Sequence, residues 1–372
     1  MGFYLLGLRS GSAGLQACCT VIVVKWIANG VVTVATLLTL GVARPALAQQ
    51  YTARRDGDVV RLEDARSQTV VSILPSVGNV AFEMKVKGQN VLHWPYASVE
   101  AFKARPGFSG IPFLGPWANR LDEQAFYANG RKYAFDMGLG NVRGAIPIHG
   151  LLTWNNQWQV TEVKADDKSA WVTSTLEFYR NPLWMKQFPF AHTIEITHVL
   201  QNGVLQVTTR IRNLSVEPMP VAIGFHPYFH LTDSPRDEWT IAVGARTQWL
   251  LAQNLIPTGE TQPIEKFFPD PRASVLKPYD LDHVFGDLIP GEDDKAVMSV
   301  KGKTQQIDVL FGPNYKAVVI YAPAGRDYIC FEPMAGITDA MNLAHKGLYK
   351  DLQSIPPGGT WQESFWIRPR GF

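Results

Sequence analysis

Thr193-Ile-Glu-Ile-Thr-His-Val-Leu200 and Val204-Leu-Gln-Val-Thr-Thr-Arg-Ile211, joined through Asn202-Gly203, form the stretch that decides the fold. Both halves are rich in β-branched residues and partly alternate apolar with polar, the period of a strand with one buried face. Asn-Gly is the strongest short hairpin signal, because a type I′ turn needs positive φ at both central positions. The stretch therefore predicts an antiparallel hairpin.

The same period continues on both sides. Ser169–Phe178, Trp239–Val243, Lys316–Tyr321, Tyr328–Phe331 and Ser364–Ile367 read as further strands. Turn punctuation is dense, at Arg180-Asn-Pro, Glu217-Pro, Pro257-Thr-Gly, Gly312-Pro-Asn, Pro323-Ala-Gly and Pro356-Pro-Gly-Gly. No amphipathic helix longer than two turns emerges, and Pro95–Ala104 reads as one short piece. Many short strands with few short helices predict an all-β, mostly antiparallel sandwich or barrel. No linker, composition shift or repeat divides residues 49–372, so they read as one domain.

Residues 1–48 read differently. They hold no acidic residue, three fixed positive charges (Arg9, Lys25 and Arg44), the apolar run Val31 to Val42, and Ala46-Leu47-Ala48 as a small-x-small pattern. This predicts a signal peptide removed before Gln49, with the mature chain exported to the periplasm or secreted. The apolar run is short for a bilayer span, so no stable membrane association is expected after cleavage. Taking 3 cations from 35 leaves 32 Lys and Arg against 33 Asp and Glu, a mature net charge near −1. No basic block remains, which argues against nucleic acid as partner. Cys18 and Cys19 leave with the leader and Cys330 stays alone, so no internal disulfide is expected.

Five segments place polar groups in apolar or Gly/Pro-rich settings. His226-Pro227-Tyr228-Phe229 ends the apolar run Val221–Phe225, and Glu332-Pro333 follows Tyr328–Phe331. Proline pushes the residue before it into extended geometry, so each pair reads as an ionisable group pinned at a strand end. Histidine titrates near neutral pH and glutamate is a ready base, a combination suited to proton transfer. Asn119-Arg120 follows a loop with almost no polar residue, and a lone buried guanidinium is prohibitive, so Arg120 is either paired or exposed at a mouth. His149-Gly150 follows Ala145–Ile148, and Asp282-His283-Val284-Phe285 follows Tyr279-Asp280-Leu281. Singly, Arg120, His149 and Asp282 have bland readings: a surface ion pair, a satisfied core histidine and a turn carboxylate.

Together, and in this order, Asn119-Arg120, His149-Gly150, His226-Pro227-Tyr228-Phe229, Asp282-x-x-Phe285 and Glu332-Pro333 resemble the aldose 1-epimerases, or galactose mutarotases, from about residue 70 onward. The resemblance implies a galactose mutarotase-like β-supersandwich and exchange of α and β anomers of a free aldose such as glucose or galactose, without metal or organic cofactor. It implies Glu332 as the base at the C1 hydroxyl and His226 as the acid at the ring oxygen. Arg120, His149, Asp282 and Asn119 match substrate-holding positions. Three departures, His230, Leu151 and Met334, stand where the family usually has asparagine, glycine and glutamine, and are expected beside the sugar pocket.

Other residues favour plainer roles. His226-x-x-x-His230 lacks the helix that makes such spacing useful for a metal, so no metal site is expected there. Cys330 shares a strand face with Glu332 and reads as a buried, inert thiol. Trp117 or Trp154 is expected to stack on a sugar face. Two competing readings are a hexose-6-phosphate 1-epimerase-like enzyme, which needs cations such as Arg143 or Lys186 at the mouth, and a non-catalytic carbohydrate-binding sandwich. The only partner expected is a small-molecule aldose, bound by a monomer or homodimer.

Overall fold

A computed structural model describes residues 49–138 and 142–372, together with the backbone strands Cys18–Ala28 and Val31–Gly41. The chain divides into Met1–Gln49, whose two strands pair as an antiparallel hairpin, and Gln50–Phe372. The expected cleavage pattern at residues 46–48 lies outside the described residues. Among the described residues, no helix is long and apolar enough to cross a membrane.

The larger unit is all-β and its named strands pair antiparallel. His192–Gln201 and Val204–Asn213 form the expected hairpin, in register from His192 against Asn213 to Gln201 against Val204. Asn202 at φ 50° and Gly203 at φ 73° make the positive-φ turn that the dipeptide predicts. The hairpin is central to a nine-stranded sheet ordered Gln159–Ala165, Ala170–Glu177, His192–Gln201, Val204–Asn213, Thr360–Arg370, Gln306–Phe311, Ala296–Lys301, Thr240–Val243 and Ser274–Val275. Burial along His192–Gln201 alternates residue by residue, so one face meets the core.

A second sheet has eight strands. Its main path runs Pro257–Pro263, Ala245–Leu251, Leu281–Leu288, Ala317–Ala322, Ile329–Met334, Gly224–Phe225 and Phe113–Leu114, with Tyr228–Phe229 also on Ile329–Met334. Phe225 of this sheet meets Phe365 of the nine-stranded sheet at 4.9 Å between ring centroids. Both rings are buried, and burial of such a side chain is worth roughly 1.5–3 kcal/mol. A five-stranded sheet, from Tyr51–Asp56 to Gln89–Asn90, and three two-stranded ribbons make up the rest of the unit's sheets among the described residues. The three α-helices among the described residues have six residues each. Val99–Ala104 falls within the expected short piece, with the Ser98 side chain accepting from the Ala101 N–H.

One strand differs from expectation. Tyr328–Phe331 was read as ending before Glu332, but the strand runs Ile329–Met334, straight through Glu332-Pro333. Proline fits there because the neighbouring edge is broken. Tyr228 and Phe229 pair with Cys330 and Ile329, and Gly224 pairs with Met334, leaving Phe331–Pro333 opposite the stretch Phe225–Pro227, which is unpaired on this side. The pairs flanking that gap share one register, which sets His226 opposite Glu332. Every residue of Ile329–Met334 is buried, since one face packs on the core and the other floors a cleft.

Candidate active site

Strand alternation builds the floor of the cleft. Cys330 and Glu332 share one face of their strand; Tyr321 lies opposite Cys330, and Asp282 lies opposite Tyr321. Tyr228, opposite Cys330 on the other side, and His226 extend the row. The expectation that Cys330 shares the face of Glu332 therefore holds, and burial pushes its thiol well above the ordinary range. The loops around Asn119-Arg120 and His149 form the wall. They meet through reciprocal hydrogen bonds: the His149 N–H donates to the Asn119 carbonyl at 3.0 Å, and the Asn119 N–H donates to His149 Nδ1 at 3.2 Å. With Nδ1 accepting, the neutral ring carries its proton on Nε2. Both residues take positive φ, 58° and 61°. Gly150 follows at φ 65°, where a Cβ would lie 2.1 Å from the Gly115 carbonyl oxygen, so only glycine fits.

The resulting cavity of about 300 Å³ is lined by all six predicted site residues: Asn119, Arg120, His149, His226, Asp282 and Glu332. Such a volume sits at the small end of ligand pockets. Arg120 is paired rather than exposed. Its Nη2 donates to Asp282 Oδ2 at 2.8 Å and its Nη1 to Asn119 Oδ1 at 2.9 Å. The Asp339 N–H donates to the Arg120 carbonyl at 3.0 Å, locking the backbone from behind.

His226 and Glu332 touch, with Nε2 3.2 Å from Oε1. Tyr228 stacks on the imidazole at 4.6 Å, nearly parallel, and its hydroxyl oxygen lies 3.4 Å from Nε2. Glu332 Oε2 is buried with no hydrogen-bond partner among the described residues, a strong acceptor in a water-poor site. Burial drives the pair toward neutrality. It raises the Glu332 carboxyl well above its ordinary value, helped by the Asp282 carboxylate and opposed by Arg120. It also lowers His226 to about 3, with Arg120 adding to the effect and the histidine's own backbone opposing it. One proton thus resides on the pair over a wide pH range. His149 is held neutral by burial and by the nearby His226, Arg120 and Arg143.

Several expectations about the surroundings do not hold. Trp117 is buried against Phe135, and Trp154 packs on Phe102 and Phe108; neither lines the cavity. The aromatic lining is Phe108, Tyr228 and Tyr321 instead. His230, Leu151 and Met334, expected beside the pocket, do not line it. Arg143 does line the cavity, whereas Lys186, on the helix Pro182–Gln187, does not. Phe108, Tyr321 and Asp339 were not singled out in the sequence, since they come from segments without a recognisable motif. A larger cavity of about 590 Å³, between Ala242–Arg246 and Pro269–Arg272, has no histidine in its lining and no acid–base pair of this kind.

Fold and site together define a β-supersandwich with a buried histidine–glutamate pair in a polar cleft. The chain belongs to the aldose 1-epimerase family, whose model matches residues 58–368. Solved structures agree on the fold. A galactose mutarotase-like protein from Clostridium acetobutylicum matches with a TM-score of 0.75 at 22% identity, covering 87% of this chain and 98% of its own. A galactose 1-epimerase from Lactobacillus acidophilus NCFM matches at 0.66 and 16% identity, over 87% and 98%. An aldose epimerase homologue from C. elegans matches at 0.65 and 16%, over 86% and 98%.

Proposed function

We propose that the chain is an aldose 1-epimerase that interconverts the α and β anomers of a free aldose, with His226 and Glu332 transferring the protons. The observation that carries this reading is the 3.2 Å contact between His226 Nε2 and Glu332 Oε1 at the floor of a polar cleft. The exocyclic O1 and the ring oxygen are both bonded to C1, so an acid and a base within hydrogen-bond reach of each other can serve both oxygens.

The proton count balances. The reactive form is imidazolium with carboxylate. Glu332 takes the proton from O1, a carbonyl forms at C1, the bond from C1 to the ring oxygen breaks, and that oxygen takes the proton of His226. The site then holds neutral His226, protonated Glu332 and the open-chain aldehyde. Rotation about C1–C2 presents the other carbonyl face, and the reverse transfers close the second anomer. Burial favours the neutral pair, which is the state at mid-reaction. Before the first step, direct transfer of the Glu332 proton to His226 across the contact converts the neutral resting pair into the charged reactive form. Arg120 and the Nε2–H of neutral His149 are placed to donate to sugar oxygens, and Asp282 to accept from hydroxyls. Exchange spectroscopy by NMR across several aldoses tests the reading: enzyme-dependent exchange between anomer signals supports it, and saturable binding without exchange favours a carbohydrate-binding role.

Arg143 in the lining favours one second reading, a sugar bearing an anionic group such as a hexose 6-phosphate. A higher kcat/KM on glucose 6-phosphate than on glucose, lost in Arg143→Ala, would establish it. Export is proposed from the leader alone; N-terminal sequencing of the mature protein from the extracytoplasmic fraction, expected to begin at Gln49, tests it.

A further inference from the structure

Outside the cleft, His93, His230 and Asp327 come together from three separate segments, with one donor atom of each within 4.8 Å of the others. His93 follows the strand Gln89–Asn90, His230 follows Tyr228–Phe229, and Asp327 precedes Ile329–Met334. Backbone bonds fix the first two: the His93 N–H donates to the Tyr228 carbonyl at 2.9 Å and the His230 N–H to the Val91 carbonyl at 3.1 Å. His230 Nδ1 stands 2.6 Å from the Asp327 backbone carbonyl oxygen, a hydrogen bond that an ion on this nitrogen would have to replace. The Asp327 carboxylate lies between the rings, with Oδ1 3.7 Å from His93 Nδ1 and Oδ2 3.7 Å from His230 Nδ1. That separation is too long for a hydrogen bond. It is close to the spacing of tetrahedral ligands, which stand about 3.4 Å apart around a zinc ion bound at about 2.1 Å.

We propose that His93, His230 and Asp327 form a binding site for a divalent transition-metal ion of the zinc type. Two imidazoles and one carboxylate suit such an ion, and three protein ligands leave one position open. The site is accessible: side-chain exposure is 20% for His93, 27% for His230 and 66% for Asp327. His230 and Asp327 also line an adjoining cavity of about 460 Å³. Arg326 lies close enough to act electrostatically on His93. Its charge opposes a cation, which points to moderate rather than very tight affinity.

The site adjoins the catalytic pair through aromatic rings. Tyr328 lies 4.8 Å from the His93 ring and 5.1 Å from that of Tyr228, which stacks on His226. An ion here would tie the segment that carries Tyr228 to the one that carries Tyr328 and Glu332, with His93 as a third anchor. Binding to the folded state alone raises its melting temperature by mass action.

Titration of the mature protein with ZnCl2 in a non-chelating buffer, by calorimetry and by thermal melting, tests the site without reference to sugar turnover. One ion per chain is expected, with a zinc-dependent rise in melting temperature. Asp327→Asn and His230→Asn should each weaken binding at least 10-fold and remove that rise. Asp327 is exposed enough that its substitution should leave the metal-free melt unchanged. Absence of saturable binding up to millimolar zinc, or binding that both variants leave intact, would overturn the proposal.

Discussion

Replacing Glu332 with glutamine separates chemistry from stability more sharply than any other single change. The amide keeps the shape of the side chain but can neither take a proton from O1 nor serve as the carboxylate partner of a charged His226. Both halves of the transfer suffer, because the two groups share one proton across 3.2 Å. A positioned acid or base contributes about 10²–10⁴-fold, and losing the pair places the expected loss at the upper end, about 10⁴-fold or about 5.4 kcal/mol of barrier. Stability should move the other way. The folded-state pKa of Glu332 is raised, so its stabilising contribution is complete below the unfolded value of 4.5 and is lost as pH climbs toward the folded value. Within that window the wild type loses about 1.4 kcal/mol per pH unit relative to Glu332→Gln. Urea unfolding at several pH values, beside polarimetry on α-D-glucose, reads both effects. A variant that keeps its activity, or whose stability difference from wild type does not change with pH, would refute the shared-proton argument.

Three further outcomes follow from the same geometry. The kcat/KM profile should show its acid limb near the His226 value of about 3 and its alkaline limb, set by Glu332, above the ordinary 4.5; an activity that falls as pH drops from 6.5 to 4.5 would contradict this. Asp282→Ala leaves the buried Arg120 guanidinium without its charged partner and should cost about 3 kcal/mol in urea unfolding, the lower end for broken buried pairs because Asp282 is 23% exposed; a loss below about 1 kcal/mol would show that the ion pair is not needed. Gly150→Ala drives a Cβ into the Gly115 carbonyl at a positive φ, so a large fall in melting temperature is expected, and a wild-type melt would contradict the loop geometry.

The fold class was legible because the chain's strongest signals are local. Alternation in Thr193–Leu200 and the Asn202-Gly203 turn act over a few residues and survive into the structure unchanged. The six site residues were legible through motifs whose types suit sugar chemistry, and all six line one cavity. What was not legible depends on register between distant segments. Nothing local to Glu332 shows that its strand continues through Pro333; only the break at His226-Pro227 in the neighbouring edge makes room for that proline. The cleft-facing aromatics follow the same logic: Tyr321 faces the cleft because it lies opposite Cys330, whereas Trp117 and Trp154, adjacent in sequence to the motifs, turn into packed interiors. His230 adjoins the His226-Pro227 motif but is drawn toward His93 and Asp327, which stand 137 residues before it and 97 after it.

The account rests on proton transfer to a free aldose at His226 and Glu332. Polarimetry of freshly dissolved α-D-glucose and α-D-galactose with the folded wild-type chain at neutral pH tests it most directly. The predicted result is first-order equilibration of at least one of these sugars, or of another free aldose, with a rate that rises in proportion to enzyme and vanishes in Glu332→Gln. Rates equal to buffer alone for every aldose tried, from a protein that still binds sugar in the cleft, would contradict it.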